Sequence, residues 1–176
     1  MQDGGAIYCS GRAALVISGN DIRGNIADHD GGAVLMTINS FDGNEFVVME
    51  DNLFAANNSP HVASIYMVKY YSNTYEIRNC TFANNVGPIV VAASRTGNSI
   101  ALSNCILFNP DADAESYQTP DNPARYCLIR GWALGDDPNH PGTFDGDPLF
   151  IDQMIEDYRL APGSPCSDAG DPEYTL

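Results

Sequence analysis

Two aspartates stand at matching places in a near-duplicated string. Asp3-Gly4-Gly5-Ala6 aligns with Asp30-Gly31-Gly32-Ala33, and Asp28 lies two residues ahead of the second copy. Carboxylates brought together by a repeat repel one another unless something compensates. A Ca²⁺ ion would do so, because it takes hard oxygen donors, and Asp3, Asp28 and Asp30 are the ligands this pattern offers it. The alternative is that each aspartate caps its own turn through backbone N–H groups. A second chemistry is suggested by aromatic rings. Tyr66, Tyr70, Tyr71 and Tyr75 cluster, and Trp132 follows closely on Arg130. Exposed rings stack on sugars, which makes Tyr70, Tyr71 and Trp132 candidates for glycan contact. Strand alternation turns other tyrosines of the cluster inward, to core or turn packing.

Other chemistries find less support. There is no C-x-x-C, and His29, His61 and His140 do not stand at zinc-like spacing from cysteines. Five cysteines leave at least one unpaired, and free buried thiols are the expectation. The stretch 111–125 carries four carboxylates and two prolines, and reads as a solvated loop bulging from the fold. Uronate lyases need a base near the sugar and a cation or arginine to neutralise the carboxylate. Glycoside hydrolases need two carboxylates about 5–10 Å apart across a cleft. Acidic residues alone establish neither.

The elements that would position these residues come from an internal repeat. LVISGNDIRGN (15–25), VVMEDNLFAAN (47–57), EIRNCTFANN (76–85) and IALSNCILFN (100–109) share one order. Asn20, Asn52, Cys80 and Cys105 align; two residues on come Ile22, Phe54, Phe82 and Leu107, and three residues back Ile17, Met49, Ile77 and Leu102. Asn25, Asn57 and Asn85 close three of the copies, and Asn109 comes one place early in the fourth. Cys127 and Ile129 supply a fifth copy. Between these lie GGAIYC (4–9) and GGAVLM (31–36), with looser versions at 63–68 and 87–92 whose shared apolar positions are Ile7, Val34, Ile65 and Ile89. Period-two alternation between Gly, Asn, Asp and Ser separators predicts short half-buried strands joined by turns. A unit of this size cannot bury its own inward face, so coils must stack, and equivalent residues form columns along the axis. The apolar positions and the Asn/Cys position point inward. The trailing Asn turns a corner in left-handed backbone and bonds to the next coil.

Composition agrees with an all-β solenoid. The 176 residues are 44% hydrophobic, with 16 Gly and 11 Pro. Net charge is −15, and Lys69 and seven arginines are the only fixed positive side chains. That balance argues against nucleic acid and anionic membrane surfaces as partners and admits cations, neutral glycans or basic proteins. No apolar run approaches the ~20 residues of a membrane-spanning helix.

The GGA-(I/V) strands and the N-C-x-F-x-x-N string resemble right-handed parallel β-helix repeat proteins of bacterial surfaces, in the pectate-lyase-like superfamily. DPLF (147–150) followed by DYRLAPGSPCSDAGD (157–171) resembles the choice-of-anchor Q domain that follows β-helix repeats in secreted bacterial proteins. Cys166 and Ser167 depart from that pattern. The resemblance implies a fold and an extracellular address but no catalytic residues. The paired-Asp, Gly-His-Gly and Arg-x-Lys strings of pectin-degrading hydrolases do not occur here. The sequence therefore predicts a right-handed parallel β-helix of about five coils over 1–131, with an irregular C-terminal cap over 132–176. In that cap Leu149, Phe150, Ile151, Tyr158 and Leu160 fold over the open coil end. The N-terminal end reads as uncapped, either through loss of upstream coils or because another molecule covers it. The function expected is a secreted or cell-surface, non-catalytic module with a structural or adhesive role. Its partners would be itself, end to end, or an extracellular polysaccharide. A Ca²⁺-dependent polysaccharide-binding or polysaccharide-degrading module is the alternative.

Overall fold

A computed structural model describes residues 4–11, 14–38, 46–69, 74–94, 99–109, 123–133 and 138–173. The first coil carries β1 (Ile7–Gly11), β2 (Leu15–Ser18) and β3 (Asp21–Arg23). The second carries β4 (Val34–Ile38), β5 (Val47–Glu50) and β6 (Leu53–Ala55), and the third β7 (Val62–Lys69), β8 (Thr74–Arg78) and β9 (Thr81–Ala83). The fourth carries β10 (Ile89–Ser94), β11 (Ser99–Ser103) and β12 (Ile106–Phe108). A fifth contributes β13 (Ala124–Arg125) and β14 (Leu128–Ile129), and an antiparallel hairpin of β15 (Phe150–Asp152) and β16 (Asp157–Leu160) follows. Equivalent strands pair in parallel in three sheets, ordered β1-β4-β7-β10, β13-β11-β8-β5-β2 and β14-β12-β9-β6-β3. This is a parallel β-solenoid. Among the described residues fewer than the expected five coils are complete. The last is reduced to two two-residue strands, and Pro123, just ahead of β13, has no N–H to extend its ladder. Ala124 and Arg125, expected in a bulging loop, pair instead with Leu102 and Ser103.

The predicted columns are present. Ile17, Met49, Ile77 and Leu102 are in register. So are Ile22, Phe54, Phe82, Leu107 and Ile129. Phe54 and Phe82 are fully buried and stack with ring centroids 4.9 Å apart and planes within 10°. Strand pairing sets that separation, since adjacent strands lie about 4.8 Å apart. The Asn/Cys column is buried from Asn52 through Cys80, Cys105 and Cys127, while Asn20 on the first coil is exposed. The Asn20 amide donates to Asn52 Oδ1 (3.1 Å), the Asn52 amide approaches the Cys80 sulfur (3.9 Å), and the Cys105 N–H approaches the Cys127 sulfur (3.4 Å). Cys80, Cys105 and Cys127 are buried, and all five cysteines are free thiols.

The trailing asparagines link coil to coil. Asn25 donates through its side-chain amide to Asn57 Oδ1 (3.0 Å), Asn57 to Asn85 (3.0 Å) and Asn85 to Asn109 (3.2 Å). Each Oδ1 also accepts the backbone N–H of the preceding asparagine in the column. Two details differ from expectation. The left-handed backbone falls one residue earlier, on Gly24, Ala56 and Asn84, which leaves each asparagine side chain aimed along the axis. And Ile89 is not the fourth member of the Ile7, Val34, Ile65 column. An irregularity between Ile89 and Val91 pairs Ile89 with Val62 and puts Val91 opposite Ile65.

The Gly-Gly pairs have a steric cause. Gly31 adopts φ +65°, and a Cβ on Gly32 would lie 2.1 Å from the Ala63 carbonyl oxygen on the next coil. The chain can rise from one coil to the next here only with no side chain in the way.

The tail divides its work. Residues 141–144 lie along the last coil: Tyr126 donates its N–H to the Pro141 carbonyl (2.8 Å), and Phe144 exchanges bonds with Cys127 and Ile129 (2.9 and 3.0 Å). The hairpin does not fold over the coil end. Phe150 and Tyr158, with Leu160 beside them, pack on the outward side of the third sheet against Leu53, Ala55, Ala83, Ile106 and Phe108. Ala55 and Ala83 are small, and the two rings fill the space above them. Leu149 and Ile151 stay exposed. The hairpin is thus a strap along the coils, tied by Arg23 to Glu156 (2.9 Å), by Asn84 to the Tyr158 hydroxyl (3.1 Å) and by the Asp171 N–H to Asn104 Oδ1 (2.8 Å).

Candidate functional site

Asp30 has company that the sequence reading did not give it. It pairs through its backbone with Val62 on the next coil. That bridge sets His29 and His61 one above the other, with ring centroids 4.3 Å apart, edge to face. His29 Nδ1 lies 2.8 Å from Asp30 Oδ2, and His61 Nδ1 lies 3.7 Å from Asp30 Oδ1 and 3.1 Å from the His29 carbonyl. Ser59, buried, braces the pair. Its hydroxyl donates to the His29 carbonyl (2.6 Å) and accepts the backbone N–H groups of His61 and Val62 (3.3 Å each). One donor atom from each of His29, Asp30 and His61 lies within 4.8 Å of the others. The histidine rings face solvent, while the Asp30 side chain is only 17% exposed.

Of the three aspartates offered to Ca²⁺, Asp3 lies outside the described residues. Asp28 is exposed and does not join the cluster around Asp30. Nitrogen donors change the chemistry of the site, because imidazole suits first-row transition ions rather than Ca²⁺. Sequence reasoning passed over the histidines by seeking cysteine partners for them. Their signal was the interval: His29 and His61 are 32 residues apart, as are Asn20 and Asn52.

A groove of about 500 Å³ lies between the strap and the coils, lined in part by Arg23, Asp51, Asn79, Glu156, Asp157 and Arg159. Its carboxylates are engaged. Asp51 accepts from the Asn79 amide (3.1 Å), Glu156 from Arg23 (2.9 Å) and Asp157 from Arg159 (2.6 Å). Hydrogen bonds from the Arg159 side chain hold the Asp157 carboxyl down at about 2, well below its ordinary 3.8. A general acid needs the opposite shift.

The aromatic candidates divide. Tyr70 and Tyr71 lie outside the described residues. Trp132 is half-buried against the main core, with its ring edge-on to His140 (5.0 Å between centroids). Part of its surface is thus taken up by packing. The buried thiols are not poised nucleophiles, since desolvation pushes Cys80 and Cys105 well above the ordinary thiol range.

The coil geometry defines a class, the parallel β-solenoids. No protein-family model, curated protein or solved structure matches the chain, and the fold bears out a parallel β-helix and no narrower family. No helix among the described residues is long and apolar enough to cross a membrane.

Proposed function

We propose that this chain is a secreted or cell-surface β-helix of the pectate-lyase-like kind with a choice-of-anchor Q-like tail. Its role is structural or adhesive and it is not a catalyst. The observation that carries this reading is the state of the groove carboxylates. Asp51, Glu156 and Asp157 each accept a hydrogen bond from a neighbouring Asn or Arg, and Asp157 is held ionised rather than poised to give a proton. Columns of amide and apolar side chains running through the coils suit a rigid spacer. The outer edges of β1, β2 and β3 carry no partner strand among the described residues, and a further coil, from a longer chain or from a second copy, is the partner such edges accept.

Sedimentation over a wide concentration range, with retention on immobilised neutral and anionic polysaccharides, tests the role. Concentration-dependent assembly or retention is the expected result. A folded sample that stays monomeric and passes every matrix would contradict it.

The second reading, a polysaccharide-binding module, is favoured by the groove itself, with Arg23 and Arg159 on its walls. Retention that is lost in Arg159→Ala while the protein stays monomeric would select that reading.

A further inference from the structure

We propose that His29, Asp30 and His61 form a binding site for a divalent first-row transition ion of the Zn²⁺ class, which clasps the second coil to the third. His29 and Asp30 precede β4 and His61 precedes β7, so an ion held by all three joins two turns of the solenoid.

The distances suit such an ion. Zn²⁺ binds histidine nitrogen and carboxylate oxygen at about 2.0–2.2 Å, so two ligands of a tetrahedral site stand about 3.3–3.5 Å apart. The Asp30 oxygens are 2.8 Å and 3.7 Å from the two histidine nitrogens, on either side of that value. The three donors lie within 4.8 Å of one another, and an ion that draws them to one centre keeps a fourth position for water.

The surroundings are prepared. The nitrogens that face Asp30 are both Nδ1, and for His61 the ion takes the place of the contact to the His29 carbonyl, since that nitrogen must give up its proton to bind. The Asp30–Val62 bridge and the Ser59 hydroxyl fix the two backbones that carry the rings. A bare pairing of half-exposed histidines with one carboxylate stabilises little, whereas a bound cation uses all three donors at once. With a net charge of −15 the whole molecule draws cations toward it.

The test uses the untagged chain with its half-buried thiols Cys9 and Cys166 alkylated, so that sulfur does not bind the probe. Titration calorimetry and thermal unfolding are run with Zn²⁺ and, separately, with Ca²⁺. One Zn²⁺ per chain and a raised Tm are expected, with no response to Ca²⁺. His29→Gln and His61→Gln should each weaken Zn²⁺ binding by about tenfold or more and abolish the rise in Tm, while Glu76→Gln, on β8 of the second sheet, should bind as the parent does. Both histidines are exposed, so circular dichroism of the variants without metal should match the parent. Absence of Zn²⁺ binding, or binding equally tight in both histidine variants, would overturn the site. A response to Ca²⁺ in place of Zn²⁺ would overturn it as well and return the aspartates to an oxygen-ligand role.

Discussion

At the scale of single residues, the asparagine column is the most exacting feature. Asn57 is fully buried; its amide donates to the Ile22 carbonyl and to Asn85, and its Oδ1 accepts two bonds from Asn25. Asn57→Ala removes these and leaves buried partners unpaired, so it should destabilise the fold by about 2–4 kcal/mol. Asn25→Ala, at a half-buried position, should cost clearly less. Urea unfolding of both variants checks the order, and equal small losses would show that the column is not a continuous hydrogen-bonded stack. The thiols give a second test. Burial raises Cys80 and Cys105 above the usual thiol range, and Cys127 is as deeply enclosed. Iodoacetamide should therefore label no more than Cys9 and Cys166 in the native protein and all five after unfolding, counted by mass spectrometry. Rapid native labelling of Cys105 would place that column outside the core. These columns were legible in the sequence because inward side chains repeat in type as well as spacing. Val91 was not, because the irregularity that moves it opposite Ile65 leaves no mark in residue type.

At the scale of elements, the strap is where the sequence was only half readable. Its apolar residues announced that it covers something, but what it covers depends on the outward face of the third sheet. Ala55 and Ala83 looked like ordinary strand residues until Phe150 and Tyr158 were seen above them. Packing rather than charge should hold the strap. Phe150→Ala should cost about 3 kcal/mol. Glu156→Gln, which loses a partly exposed pair with Arg23, should cost less than about 1 kcal/mol. Denaturation midpoints of the two variants decide, and a reversed order would make the ion pair the anchor. The strap also carries a pH signature. The Asp157 carboxyl lies at about 2 when folded against an ordinary 3.8. A lowered carboxyl contributes stability that is complete above about pH 4 and lost as pH falls through 2. Carboxyl carbon shifts followed by NMR should show a midpoint near 2 for Asp157, and a midpoint near 4 would mean that the Arg159 contact does not persist in solution.

At the scale of the whole molecule, the stack converts sequence intervals into spatial neighbours. Residues one coil apart in the chain come to lie one strand spacing apart in the fold. This is why the repeat fixed the fold class so readily, and why it also contained the His29–His61 pair. The full site was harder to read. Asp30 was visible as an acid beside a Gly-Gly turn, but which neighbour it meets depends on how the irregular turns between strands align, and turn lengths vary from coil to coil. With 23 Asp and Glu in the chain, carboxylate proximity alone says little about catalysis in such a fold. What separates a scaffold from an enzyme here is whether any carboxylate turns a substrate over. The most direct measurement is the appearance of new chain ends when the folded protein is incubated with neutral and anionic polysaccharides, with and without Ca²⁺ or Zn²⁺. A structural or adhesive β-helix predicts none above that of a heat-denatured control. New ends that persist through purification and disappear in Asp51→Asn or Glu156→Gln would contradict that account and place a catalyst in the groove under the strap.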